Sequence, residues 1–368
     1  QSGLQNKGEG TSRWNSSFYG TPLMKFYAGL AFHKAGIDDK AAEKLLEEGL
    51  ADHIRMLDYR SEMAGSDGGG NNSTPGYAFG DAPMCEWLFY YAWKMLTGRN
   101  IATDFPANGL LPHWLFYASF TGIDGKLYEH GTGGAWHIDN KLKMNLRYLA
   151  QYRNFFPDSP AVGIIDFLIS TQDDFKDDKY IYASGTWRHD GYFPWLLFQY
   201  NYTKQSEYKF DKKFFDHFPK AYFFRNLGQT YLFSGREPDS TYALFTCGSK
   251  SSVHKQADEN NFIIYKGGFL ALDSGTRSAS GHKDWLDDMW HDNNYYAVSI
   301  AHNVVTIRME GEKFSGWPAP KYAVANHGGM YKTTGGIVKA FETNNFYTYV
   351  SGDSTACYRS EKCKKMIR

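Results

Sequence analysis

The chain has 368 residues, 17% of them aromatic, with Lys+Arg and Asp+Glu balanced at 40 each. That length suits about two domains and a sizeable core, and the balance excludes a globally basic nucleic-acid or membrane-surface binder. No stretch approaches the roughly 18 apolar residues of a membrane span, and Cys85, Cys247, Cys357 and Cys363 lie at no metal or redox spacing.

In chain order, the first ~215 residues carry helical periodicity. From Asp38 to Tyr59, Leu46, Leu50, Ile54 and Leu57 recur at three- and four-residue spacing and line one helix face. Asp38 and Asp39 suit the positive end of its dipole. A second helix is predicted from about Ala82 to Thr97, stopped at Gly98. Its apolar residues (Trp87, Leu88, Phe89, Tyr91, Trp93, Met95, Leu96) wrap most of the circumference, so it should be largely buried. Further helices are expected over Lys141–Tyr152 and Ala161–Thr171.

After about His217 the pattern shifts to period two and to β-branched and aromatic runs. Strands are expected at Thr241–Thr246, Phe262–Tyr265, Phe269–Leu272 and Asn303–Ile307, with Lys266-Gly267-Gly268 as a hairpin turn. Helices first and strands second give separate layers rather than an alternating α/β fold. The chain begins at Gln1 with no signal-peptide pattern, as a processed product or fragment would. Sequon matches at Asn15, Asn71, Asn72 and Asn201 are expected to be mostly chance in an Asn-rich chain.

One stretch carries chemistry. It runs His254-Lys255-Gln256-Ala257-Asp258, then an apolar strand to Asp273-Ser274-Gly275, then Asn294-Tyr295-Tyr296 and Ala301-His302-Asn303. This order resembles the signature of the heparinase II/III-like polysaccharide lyases, in which an H-x-H/Q-x-x-D-like segment and a strand precede a D-x-G turn and YY-x-x-x-x-AHN. Weaker likenesses lie at Gly65-Ser66-Asp67-Gly68 with Gly76-Tyr77, and at Gly352 to Tyr358.

The resemblance implies an α+β multidomain chain, an incomplete (α/α) toroid over 1–215 followed by an antiparallel β-sandwich over 216–368. The toroid would be shortened at its N-terminus and the sandwich at its C-terminus. It implies β-elimination from an acidic, uronate-containing polysaccharide resembling heparin or heparan sulfate, with no nucleic-acid partner, in a periplasmic or secreted setting. Such chemistry needs a base for the C5 proton, an acid for the leaving oxygen, and stabilisation of the carboxylate's growing charge.

The likeness places Tyr77 and His254 in the catalytic roles; on position alone they read as a packed helix-start tyrosine and a surface-loop histidine. The family's second catalytic tyrosine has no counterpart in the loop from Thr276 to Asn294. Tyr295 and Tyr296 are then the nearest tyrosines, and strand register would turn only one of them to the cleft. Asn15 is a candidate for the amide that binds the uronate carboxylate in relatives, beside the plain reading of a loop residue near a chain end; Arg236 is a candidate cation beside substrate, and His137, Arg188 and His189, in aromatic loops, are candidate subsite residues.

Gln256, Asp273 and His302 fall where the heparinase II pattern holds structural zinc. A neutral, hard glutamine oxygen is a poor zinc ligand, which puts that metal in doubt. The bland readings are a strand-ending turn at Asp273 and a buried, carbonyl-bonded histidine at His302. Two other functions fit less of the sequence. A toroidal glycoside hydrolase would need paired carboxylates, for which only Asp67 and Asp190 can be nominated, and a non-catalytic polysaccharide binder would not need Tyr77 and His254.

Overall fold

The computed structural model describes residues 21–70, 84–121, 127–129, 151–165, 218–250, 255–274, 291–314 and 324–368. The chain divides into two compact units, one of Gln1–Asn71, Pro75–Phe116 and Leu142–Phe214, the other of Asn72–Thr74, Tyr117–Lys141 and Phe215–Arg368. Helices dominate the described part of the first and antiparallel sheet that of the second, so the class is α+β.

In the first unit, α1 (Thr21–Phe32) packs on α2 (Asp39–Ala64). Asp38 caps α2, its Oδ1 accepting from Ala41 N at 3.0 Å, and Gly65 ends the helix with φ +57°. The helix thus runs five residues beyond Tyr59. Its buried positions include Ala42, Gly49, His53, Met56 and Met63, whereas Leu46, Leu50 and Ile54 are only half-buried. Leu57 of the expected stripe is fully buried, and the rest of the buried face is offset from the other three residues, with glycines at the helix contact. A Cβ on Gly49 would collide with the backbone of Phe26, and one on Gly29 with that of Leu46. α3 (Met84–Thr97) buries Trp87, Phe89 and Tyr90 completely. Its last turn corrects the expectation of a buried cylinder: residues 94–97 are all exposed, Met95 78% and Leu96 54%.

Residues 151–155 are helical, running three past the expected end at Tyr152, and residues 162–165 are helical within the expected Ala161–Thr171; residues 141–150 and 166–171 lie outside the described residues. Tyr152 and Phe155 pack on Trp87, with ring centroids 4.8 and 6.0 Å away. A buried ion pair, Arg60 with Glu86, sits beneath them and takes a hydrogen bond from Tyr90 Oη to Glu86 at 2.8 Å.

α4 (Pro112–Ala118) leads into β1 (Ser119–Thr121), which pairs with β2 (Leu127–Glu129). In the second unit, β3 (Ala221–Phe224), β4 (Gln229–Phe233), β5 (Tyr242–Thr246), β6 (Asn261–Tyr265) and β7 (Phe269–Ala271) form one antiparallel sheet in sequence order. Register puts Tyr222, Tyr231, Leu244 and Ile263 on one face, together with Phe233, Tyr242 and Tyr265. Tyr117 and Phe120 pack onto that face, Phe120 stacking on Tyr242 at 4.8 Å. The β6–β7 hairpin closes at Gly267 and Gly268, with Lys266 N donating to Gly268 O at 2.9 Å. β8 (Ile337–Thr343) and β9 (Thr348–Asp353) make a separate two-stranded sheet.

Two expectations fail here. Residues Asn303–Ile307 form no strand; they run irregularly, Val304 N turning back to His302 O at 2.8 Å and Ile307 N reaching Gly328 O at 2.7 Å. Asp292–Tyr296 is a π-helical turn rather than a strand. No helix among the described residues is long and apolar enough to cross a membrane.

Candidate functional site

The second unit gathers the motif segments at one end of β6. Residues 255–260 are all buried. Ala257 N donates to Ala297 O at 3.0 Å, and Ser299 Oγ donates to Ala257 O at 2.8 Å. Those two bonds fix the start of the segment against the 295–303 stretch. Asn261 then bridges three segments. Its Oδ1 accepts from Asn303 N at 2.9 Å, and its Nδ2 donates to Asp273 Oδ1 at 2.9 Å. Asn303 returns a bond from Nδ2 to Phe262 O at 2.9 Å.

His302 sits beside Asp273, Nδ1 to Oδ2 at 3.2 Å, with an almost fully buried side chain. The contact lacks hydrogen-bond alignment, and neither ring nitrogen has a hydrogen-bond partner among the described residues. This differs from a core histidine satisfied by a backbone carbonyl. Gln256 is buried in the same segment. Ser274 N donates to Ala301 O at 2.7 Å, and Tyr295 Oη donates to Ser274 Oγ at 2.9 Å. The two tyrosines diverge because of the π-helical turn: Tyr296 is buried, and Tyr295 is half-exposed over the Asp273-Ser274 turn.

Behind this surface lies a charged core that the sequence does not single out. Lys255 Nζ donates to Asp258 Oδ1 and lies 4.0 Å from Glu259 Oε1, with all three side chains essentially inaccessible. Burial disfavours the Lys255 ammonium, but the two carboxylates outweigh it and hold its pKa above the usual lysine value. Burial, reinforced by Asp258, raises Glu259 despite Lys255. Glu259 Oε2 accepts from Gly248 N at 2.6 Å. The signal for this cluster was present as an i, i+3, i+4 spacing of Lys255, Asp258 and Glu259, but on sequence alone such a run reads as a solvated loop.

Asn260 follows at φ +63°, a conformation tolerated best by Asn among non-glycine residues. Its Nδ2 donates to Ser354 Oγ at 2.9 Å and to Gly352 O at 3.1 Å, tying the motif to β9.

Arg236 lies half-buried in the second unit with its guanidinium carbon 3.7 Å from the Phe233 ring centroid. It donates to Ser119 O at 2.8 Å. Burial lowers its pKa to about 9, with the Tyr117 and Tyr242 hydroxyls opposing. Tyr77, His254, Asn15, His137, Arg188 and His189 lie outside the described residues, as do the four sequons. Of the cysteines, Cys247, Cys357 and Cys363 are buried free thiols. Burial raises the pKa of Cys247 and Cys357, so neither is an activated nucleophile.

Residues 219–363, which contain this site, match the family model described as Heparinase II/III-like, C-terminal. This part of the chain is similar to the C-terminal domain of the heparinase II/III-like family. Among solved structures, heparinase III is similar at a TM-score of 0.53 and 16% identity, covering 92% of this chain and 42% of that one. A mutant of the heparan sulfate lyase HepC from Pedobacter heparinus gives a TM-score of 0.52 at 16% identity, over 90% and 40% of the two chains. At such identity the likeness is one of fold, and the chain spans about two fifths of the solved structures it matches. No curated protein matches the chain.

Proposed function

We propose that the protein is a polysaccharide lyase that cleaves an acidic, uronate-containing polysaccharide, of the heparin or heparan sulfate kind, by β-elimination. The observation that carries this reading is the convergence of Asn261, Asp273, Ser274, Tyr295 and His302 at one end of β6, within a heparinase II/III-like domain. In the reaction, a base removes the uronate C5 proton and the C5–H electron pair becomes the C4–C5 double bond. The C4–O4 bond breaks with its electron pair leaving on oxygen, and an acid protonates that oxygen. Tyr77 and His254 take the proton-transfer roles, with Tyr295 as the further hydroxyl held at the Asp273-Ser274 turn. Asn15 would bind the carboxylate, and His137, Arg188 and His189 would line subsites. Arg236 is already engaged with Phe233 and Ser119, so its part is to hold the site's framework.

The Asp273–His302 pair also suits a structural divalent cation. Two ligands about 2.0 Å from a tetrahedral centre lie roughly 3.3 Å apart, close to the 3.2 Å seen, and the buried imidazole lacks a hydrogen-bond partner among the described residues. Gln256 would supply a carbonyl oxygen, a harder donor than the histidine of heparinase II, so the ion need not be zinc. Such an ion would order the turn that carries Ser274. Among the described residues no group of three or more His, Cys, Asp or Glu is placed to hold a metal, so the third ligand must be Gln256 or a residue outside them. Elemental analysis, with the melting temperature read before and after chelation, tests this: no bound metal and no change in melting would remove the cation.

A secreted or periplasmic location follows from the substrate class. The experiment for the function is incubation with heparin, heparan sulfate, chondroitin and alginate, read by ultraviolet absorbance of the unsaturated uronate. Wild type should generate the signal on at least one polymer, and folded His254→Ala should lose it by about 1000-fold, the middle of the range for an acid–base residue. Product that does not absorb would indicate a hydrolase. Binding without product would indicate a non-catalytic binder.

A further inference from the structure

We propose that Tyr331, Lys332 and Arg359 form a surface site in the second unit that holds one acidic sugar residue of a polyanionic chain; the choice of ligand rests on the acidic-polysaccharide reading above.

The whole chain has no net charge, but residues 324–368 carry seven Lys and Arg against three Asp and Glu, a net of +4. Within that region two cations share one exposed ring. Tyr331 is 39% exposed, with Lys332 Nζ 5.1 Å and the Arg359 guanidinium carbon 4.9 Å from its ring centroid. The electron-rich ring attracts each cation, while the cations repel one another. An anion bound beside them offsets that repulsion. The backbone below is fixed. Tyr331 N and Lys332 N both donate to Cys357 O, at 2.9 and 3.4 Å. Met330 is buried, and its N–H donates to Ser299 Oγ at 3.0 Å. All three side chains of the site nevertheless stay accessible.

Internal pairing does not consume these groups. Lys332 makes no ion pair or side-chain hydrogen bond among the described residues, and neither does the Tyr331 hydroxyl. Arg359 Nε lies 3.4 Å from Glu312 Oε1, but Glu312 Oε2 already accepts from Lys362 Nζ at 2.7 Å, so one carboxylate serves two cations. Arg359 Nη2 donates to Lys313 O at 3.1 Å, which leaves Nη1 without a partner among the described residues. An ammonium, a guanidinium N–H and a phenol hydroxyl therefore remain to bind a ligand. An anionic group beside hydroxyls matches that set, and bonds from such cations to sulfate or carboxylate are of the stronger, charge-assisted kind. A tyrosine that only covered the core at Met330 would need neither cation.

Binding of a heparin octasaccharide to the whole chain, measured by calorimetry at two salt concentrations, tests the site. Lys332→Gln touches nothing but the ring, so the fold should survive, and it should weaken binding at least threefold. Adding Arg359→Gln should bring the loss to at least 10-fold and flatten the salt dependence. Tyr331→Leu changes no charge at neutral pH, yet it should cost at least threefold because the cations lose their common anchor. Lys364→Gln with Lys365→Gln removes equal charge from the same segment and should cost less than about twofold. The site is refuted if wild type does not bind, if Lys332→Gln and Tyr331→Leu both stay within twofold of wild type, or if the Lys364 and Lys365 changes weaken binding as much as the Lys332 and Arg359 pair. A single-stranded DNA of similar length that loses as much affinity in Tyr331→Leu and Lys332→Gln also refutes a saccharide site, since charge alone is then being read. Should Arg359→Gln unfold the protein, Lys332→Gln and Tyr331→Leu decide. Wild type that binds by this pattern but cleaves no uronate polymer sinks the lyase reading and leaves the site standing, whereas cleavage with unaltered binding in the variants sinks the site alone.

Discussion

His53 is buried against Phe26, Tyr27 and Phe89, stacking on Phe89 at 4.4 Å, and its Nδ1 lies 2.9 Å from Gly49 O. Burial lowers its pKa to about 4. The unfolded chain therefore binds more protons than the fold between about pH 4 and 6.5, and stability falls as pH drops through that window. The full effect is about 3 kcal/mol at most, because each tenfold loss of proton affinity on folding is worth about 1.4 kcal/mol. His53→Leu should be less stable at neutral pH yet lose less between pH 7 and 4.5 in urea titrations; an unchanged pH slope would assign the acid sensitivity elsewhere. His327 in the second unit adds to the same trend, burial and Lys362 lowering it to about 4. Asn260 makes a second residue-scale case. Asn260→Ala removes the side-chain donor to Ser354 Oγ and to Gly352 O, which keeps only Arg368 N, and puts alanine, which lacks asparagine's tolerance of the left-handed region, at φ +63°. It should lose about 2–4 kcal/mol. Asn260→Gly, which restores the backbone freedom, should lose less in the same denaturation assay, and equal losses would mean that the left-handed conformation carries no strain.

At the scale of elements, the α1–α2 pair depends on Gly29 and Gly49, where the helix backbones meet without side chains between them. Glycine within a helix is itself unfavourable, by about 1 kcal/mol against alanine. Gly49→Ala would thus stabilise an isolated helix. In the protein it must push Phe26 and its backbone aside, so a net loss of about 1–3 kcal/mol is expected. Thermal or urea unfolding gives the sign directly, and a gain in stability would mean that the helices can part at no cost. The 255–261 segment is the corresponding element in the sheet unit. It has no regular secondary structure before Asn261, and its order comes from side-chain bonds to the 295–303 stretch and β9.

For the whole molecule, the proposed mechanism draws Tyr77 from the Gly-rich stretch after α2 and His254 from the segment before β6, 177 positions apart in sequence. Residues that act as one catalytic unit are not additive when removed. Tyr77→Phe and His254→Ala should each reduce kcat by more than 100-fold, and the double variant should be no worse than the poorer single one by more than about threefold. Multiplying losses in the double variant would show that the two residues serve separate steps or separate sites.

The sequence by itself determined the α+β class, the strand and hairpin at Phe262–Tyr265 and Lys266-Gly267-Gly268, the start of α2 at Asp38 and the stop of α3 at Gly98. Each follows from local periodicity or from a residue whose own backbone preference dictates the turn. It also made the family legible, because the motif residues keep their order along the chain. Tertiary structure decided the rest. The irregular path of Asn303–Ile307 overrides β-prone composition, since Asn303 N donates to Asn261 Oδ1 and Ile307 N to Gly328 O, and Tyr295 falls in a π-helical turn. The buried face of α2 keeps Leu57 of the leucine stripe but is otherwise set by a glycine contact. The charge of Lys255, Asp258 and Glu259 reads in sequence as a solvated loop and is buried in the fold, because only three-dimensional packing, with Gly336 close against Glu259, excludes water from a polar run.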